Sequence, residues 1–173
     1  MENKIKAVIE FVGGKKIDLE LYPDVAPISV DNFVKLCNAN FYDGLCFHRV
    51  IPDFMIQGGG FAACGGGLKN KDPLTPAIKG EFASNGIKND LKHTAGVLSM
   101  ARTMVKDSAT SQFFICVADV PYLDGEYAAF GKVADEESLK VAVSISKVQT
   151  GSWRGYDDVP VRPVEIKTIR IIE

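Results

Sequence analysis

Short runs in which every second residue is apolar, cut apart by glycines, dominate this chain and leave little of it free for helices. Ile5, Ala7, Ile9 and Phe11 occupy alternate positions, and Ile17, Leu19 and Leu21 alternate with Asp18 and Glu20. Side chains two apart on a strand share a face, so each run reads as a strand with one buried side. Gly13-Gly14 lies between them and supplies the positive φ of a tight hairpin turn. Further short strands are expected over residues 46–50, 55–57, 97–101, 113–117, 129–133 and 164–171. The alternation of the last slips near Thr168, which predicts a bulge or burial on both sides.

Two stretches carry helical periodicity. Over 27–37, Val30, Phe33, Val34 and Cys37 fall at i, i+3, i+4 and i+7, with Ser29 placed to cap the start and Asp31 in the first turn. Over 136–148 the opening is acidic and Val141, Ile145 and Val148 share a face, although β-branched residues lower the propensity. Many short strands with two helices predict an all-β barrel or sandwich whose openings the helices cover. At 173 residues, with no repeat, linker or charge block, one domain spanning 1–173 is expected.

Twenty basic against 22 acidic side chains leave a net charge of −2, which advertises neither nucleic acid nor a membrane surface as partner. The longest obvious apolar run, 113–118, is far short of the roughly 18 residues a membrane helix needs. The first residues lack the apolar core of a secretory signal. Cys37, Cys46, Cys64 and Cys116 are irregularly spaced and read as small buried hydrophobes. A soluble protein of a reducing compartment is the expectation.

Several sites can be assembled on paper. Cys37, Cys46, His48, Cys64 and His93 contain metal-ligand chemistry, but only Cys46 and His48 are close, and buried structural roles are favoured. The glycine-rich stretch 58–67 lacks the lysine and following helix of a phosphate loop, and such glycines more often serve a sharp turn or a close approach. No nucleophile elbow is present. Glu136-Glu137 fits a helix start and Asp157-Asp158 a solvated polar turn. More informative is the stretch 47–60, where a strand would put Phe47, Arg49 and Ile51 on one face and His48 and Val50 on the other. Arg49 there stands alone among apolar residues and needs a partner, a ligand or an escape to solvent. Two further clusters, 111–116 and 122–127, set aromatics beside hydrogen-bonding groups, as either a core or a ligand groove would.

At these clusters the sequence closely resembles the cyclophilin family of peptidyl-prolyl cis–trans isomerases. The matching stretches are FHRVIPDFMIQGGGF at 47–61, GVLSMA at 96–101, SQFFI at 111–115 and LDGEYAAFGKV at 123–133, in the family's order. The form SMARTMVKDSATSQFFI is similar to bacterial single-domain members. The resemblance implies a mainly β fold, a closed eight-stranded antiparallel barrel capped by two helices. It implies Arg49 as the catalytic arginine and Phe54, Met55, Phe114 and Leu123 as the lining of a proline pocket. Gln57 and Gln112 would hydrogen-bond the substrate backbone, Ala101 and Arg102 would run beside the peptide, and Tyr122 and Tyr127 would stand at the pocket edge.

Rotation about an Xaa–Pro bond breaks no covalent bond, so no nucleophile, metal or cofactor is required. The barrier of about 18–20 kcal/mol is amide resonance. A donor aimed at the prolyl nitrogen weakens that resonance as the bond twists, and arginine presents several fixed donors while remaining charged. Implied partners are proline-containing peptides and unfolded or folding proteins, with no nucleic acid or membrane, for a cytoplasmic monomer. Many family members carry Trp where this chain has Tyr122; that indole contributes to binding cyclosporin, so weak binding of the drug is the expectation. Many also carry His at Tyr127, Asn at Arg102 and Asp at Gly60. The competing reading is a binding module or chaperone that uses the same groove with negligible turnover. A metal- or nucleotide-binding protein is a distant third.

Overall fold

The structure, a computed structural model, describes residues 3–64, 67–71 and 75–172, residue 64 by its backbone alone. Gly65, Gly66 and the side chain of Cys64, which belong to the glycine-rich and cysteine readings above, lie outside the described residues. Strands β1 (Ile5–Phe11) and β2 (Lys16–Leu21) form the expected hairpin and lead into helix α1 (Pro27–Asn38). There follow β3 (Leu45–Ile51), β4 (Met55–Cys64), β5 (Gly67–Asn70), β6 (Val97–Met100), β7 (Phe113–Cys116) and β8 (Ala129–Val133). Helix α2 (Glu136–Ser146), β9 (Thr150–Trp153), β10 (Tyr156–Pro160) and β11 (Ile166–Ile172) complete the order.

Eight strands pair in the order β11-β1-β2-β8-β6-β7-β4-β3, antiparallel throughout, while β5 adds to β4 and β9 pairs with β10 apart from the rest. The sheet curls until its end strands meet. There the seam is closed by Gly44 N–H donating to Ile166 O at 2.9 Å, Phe47 N–H donating to Val164 O at 3.0 Å and a single Cys46–Glu165 bridge, in place of a full ladder. The irregularity predicted near Thr168 falls where Glu10 pairs with Thr168 and Phe11 with Ile166.

Alternation decides what fills the interior. Ala7, Ile9 and Phe11 of β1 and Ile17, Leu19 and Leu21 of β2 all point inward and are buried. Helix α1 contributes Phe33, whose ring lies 5.3–5.4 Å from those of Tyr42, Phe113 and Phe130. Aromatic pairs at such separations add about 0.5–1.5 kcal/mol beyond their buried area.

Both helix ends differ from the sequence reading. Ser29 is not the cap of α1; it lies inside the helix, fully buried, and its hydroxyl donates to Glu81. The Glu81 carboxylate also accepts the N–H groups of Ile28 and Ser29, so the helix start is satisfied by an acid 52 residues along the chain from Ser29. Asp31 sits one turn too late for that role and pairs with Lys35 at 2.9 Å. In α2, Asp135 caps by accepting from Ser138 N–H at 2.8 Å, and the buried face is Ser138, Ala142, Ile145 and Ser146. Val141 is half-buried, and Val148 lies beyond the helix end. Among the described residues no helix is long and apolar enough to cross a membrane.

Candidate active site

On β4 and β7 the strand period splits neighbouring residues between two environments. Ile56, Phe113 and Ile115 enter the barrel, whereas Met55, Phe114 and Cys116 face outward and join Val120 and Leu123 in a second, smaller apolar cluster. That outer cluster floors a groove of about 560 Å³. Phe54 and Tyr127 close its apolar part, the Tyr127 ring standing edge-on to Phe114 at 5.7 Å.

A polar line runs along the other side. Arg49 on β3 is the cross-strand partner of Gln57 on β4, and its Nη1 donates to Gln57 Oε1 at 3.3 Å. Gln57 Nε2 then donates to Gln112 Oε1 at 3.0 Å. Gly60 leaves the space in which the Gln112 side chain lies; a Cβ there would run into it. Ala101 N–H donates to Gln112 O at 3.0 Å, which brings the 101–102 backbone onto the groove wall.

The simple alternation expected for β3 does not hold. The register with β4 slips twice, between Cys46 and Phe47 and between Phe47 and Arg49. Phe47 and Val50 consequently both belong to the barrel core, while the consecutive residues His48 and Arg49 both line the groove. Bulges re-aim side chains in this way beside functional sites. Burial, with Arg49 beside it, pushes the His48 imidazole down to about pH 4, so the ring is neutral at ordinary pH.

Beneath the apolar slot a buried chain holds the floor in place. Asp124 Oδ1 faces His93 Nδ1 at 3.0 Å, and His93 Nε2 faces Ser99 Oγ at 2.9 Å. His93 stacks on Phe114 with centroids 6.1 Å apart, and Asp124 follows Leu123 directly. Burial lowers the His93 pKa against the opposing pull of Asp124. The connectivity is that of a hydrolase triad, yet Ser99 is fully buried and meets no substrate. Its physical work is to fix Phe114 and Leu123. Sequence reasoning missed it because His93, Ser99 and Asp124 carry no local pattern.

Of the residues singled out from sequence, Arg49, Phe54, Met55, Gln57 and Ala101 line this one groove, as do Arg102, Gln112, Phe114, Leu123 and Tyr127. Tyr122 does not; it is 68% exposed at the rim, 6.1 Å from Phe54. The Arg102 guanidinium is already committed, donating to the carbonyls of Thr103 and Glu126 and lying over the Phe82 and Tyr127 rings. Phe61, Tyr156, Asp157 and Asp158 were not foreseen as lining. Asp157 and Asp158 stand on β10 and not in a turn; Asp157 is exposed and Asp158 half-buried, as a solvated pair, and both form part of the groove wall.

Of the paper metal site, the Cys64 side chain lies outside the described residues; among the described residues no three His, Cys, Asp or Glu side chains are placed to share an ion. Cys37, Cys46 and Cys116 are buried and free, with thiols pushed up by burial, Cys46 to about 11 and Cys116 to about 12.

Comparison with known proteins agrees over nearly the whole chain. Residues 7–171 match the family model described as cyclophilin type peptidyl-prolyl cis-trans isomerase/CLD. The chain is 48% identical over 162 residues to peptidyl-prolyl cis-trans isomerase A of Dickeya dadantii, covering 91% of this chain and 80% of the relative. It is 42% identical over 165 residues to peptidyl-prolyl cis-trans isomerase B of Escherichia coli, covering 91% and 94%. Among solved structures, a cyclophilin type isomerase of Cryptosporidium parvum superposes with a TM-score of 0.77 at 28% identity, covering 99% of both chains. The same protein, crystallised in the presence of the dipeptide Ala-Pro, gives 0.76 at 28% identity, covering 97% of this chain and 99% of that one.

Proposed function

Because this chain belongs to the cyclophilin-type family of peptidyl-prolyl cis–trans isomerases, we propose that Arg49 is the group through which it speeds rotation about Xaa–Pro bonds. The activity itself, and with it a general role in assisting protein folding, comes with the family. The observation that carries the assignment of residues is the hydrogen-bonded line from Arg49 through Gln57 to Gln112 along the edge of an apolar slot.

In this reading the proline ring rests on Met55, Phe114 and Leu123, with Phe54 and Tyr127 at its sides. Arg49 donates to the prolyl nitrogen as the bond twists and that nitrogen recovers its lone pair. The contact accelerates the reaction only because it is stronger in the twisted state than in either planar one. Lowering the barrier by about 6–8 kcal/mol gives roughly 10⁴- to 10⁶-fold. Gln57 accepts from Arg49 and holds the guanidinium over the slot. Gln112 and the 101–102 backbone position the chain on the other side of the proline, and Arg102, bound to carbonyls and rings, keeps that wall rigid.

Substrates are proline-containing peptides and unfolded or folding proteins. The crystal of the Cryptosporidium relative with Ala-Pro supports the peptide class. Tyr122 at the rim, lacking an indole, supports weak cyclosporin binding. We read residues 1–173 as one domain acting as a monomer, and the free buried cysteines support a reducing, cytoplasmic setting.

The test is an amide chemical-shift titration with a short Ala–Pro peptide. Shifts should concentrate at Met55, Gln57, Ala101, Gln112, Phe114 and Leu123. Shifts centred elsewhere would move the site. Binding without any acceleration of cis–trans exchange would favour a binding module over an enzyme.

A further inference from the structure

The groove continues past the proline slot, and its far end is built by a part of the chain the slot does not use. The β9–β10 hairpin turns at Arg154 and Gly155, both at positive φ, and Trp153 stacks on Tyr156 at 6.1 Å. Tyr156 in turn sets its edge against Phe61 of β4 at 5.4 Å. This docking places Asp157 and Asp158 on the groove wall with His48 and Arg49.

The carboxylates at this end have no cationic partner within the described residues. Asp157 accepts from Ser152 Oγ at 2.7 Å. Of the two cations lining the groove, Arg49 is turned to Gln57 and Arg102 is held by carbonyls and aromatic rings. The ring beside them is buried. His48 is only 4% exposed, yet its Nδ1 has no hydrogen-bond partner among the described residues. A buried polar atom left unpaired is costly.

We propose that Asp157 and Asp158 make this isomerase select proline-containing chains that carry a lysine or arginine within a few residues of the proline, on the hairpin side. The inference rests on the reading of the groove as the isomerase site. Arg49 opposes a cationic side chain, but it is turned to Gln57 and Arg102 is held by carbonyls and rings, whereas the two carboxylates have no ion partner among the described residues. An exposed ion pair is worth about 1.4- to 5-fold in an equilibrium, so the pair gives a lysine-over-glutamate preference of roughly 3- to 10-fold in kcat/KM at low salt.

The experiment uses short peptides with one Ala–Pro bond and Lys, Ala or Glu at each flanking position, assayed at about 0.02 M and about 0.5 M salt. The expected result is a lysine preference confined to one flank, weakened by salt and abolished in the double variant Asp157→Asn, Asp158→Asn. Asparagine keeps an acceptor for Ser152 and tolerates the φ of +61° at Asp158. Because the readout is a ratio between peptides, a change in overall activity of the variant does not disturb it. A wild-type ratio near one, a preference for glutamate, or a lysine preference that survives in the double variant would overturn the inference. Failure to turn over even the Ala peptide would instead overturn the isomerase reading, and this inference with it.

Discussion

Phe113 and Phe114 are adjacent on β7 and almost equally buried, yet they belong to different parts of the molecule. Phe113 packs in the barrel against Phe33, Tyr42 and Phe47, while Phe114 faces out onto the groove beside Tyr127 and above His93. The barrel interior is large and sealed by several strands and α1. The outer cluster is small and stays open on the side where a ligand can enter. One strand thus builds the scaffold with one face and the groove with the other. Burial alone does not tell the two roles apart; what the residue is buried against does.

That contrast is broken most sharply at the pair itself. Phe113→Ala should cost about 3–5 kcal/mol in chemical unfolding, the usual price of a large hole in a core that cannot collapse. Phe114→Ala should cost less stability but lower kcat/KM by about 10- to 200-fold, through lost contact with the proline ring. Equal effects of the two changes on both quantities would erase the distinction.

The next effect is one of pH. The His48 pKa is pushed from 6.5 down to about 4, so the unfolded chain binds the proton more readily than the folded one. Stability from this residue is therefore complete above pH 6.5, declines as pH falls toward 4 and levels off below. The loss amounts to roughly 3 kcal/mol, and His93, lowered by burial, acts in the same direction. Unfolding midpoints of the wild type and His48→Gln between those pH values should differ in slope, the variant being flatter. Parallel slopes would mean that His48 is not the buried neutral base of the groove wall.

A smaller effect tests the scaffold alone. Glu81→Ala leaves the N–H groups of Ile28 and Ser29 without their acceptor and should cost about 2 kcal/mol. Glu81 is not itself part of the groove lining, so kcat/KM of the folded protein should change far less than for Phe114→Ala. The smallest expected effect is none: if Arg49 is the working group as proposed, and with His48 uncharged, kcat/KM should be flat from about pH 6 to 8. A bell across that range would reveal an acid or base acting on the bond.

What was legible in the sequence follows from range. The β1–β2 hairpin, the stripe of α1 and most barrel strands were legible because period two and period 3.6 are local signals. The cap of α1 was not, since Glu81 reaches Ser29 from 52 positions away and Ser29 alone looked sufficient. The β9–β10 hairpin escaped because it packs outside the barrel on aromatic contacts and needs no alternation. Its signal was Arg154-Gly155 between Trp153 and Tyr156, a two-residue turn flanked by rings. The ten residues that share the groove were named through resemblance of motifs, not through periodicity. Even there, strict alternation misplaced Phe47 and Arg49 on one face, because a bulge is invisible to a two-residue rule.

The most direct test of the account compares wild type with Arg49→Ala by NMR exchange on an Ala–Pro peptide, with the peptide Kd measured alongside. Removing a donor that acts in the transition state costs about 10²- to 10³-fold in turnover. The account predicts a loss of that order in cis–trans exchange while Kd changes little. Equal exchange rates for the two proteins would leave an isomerase whose apolar slot does the work and would contradict the role of Arg49.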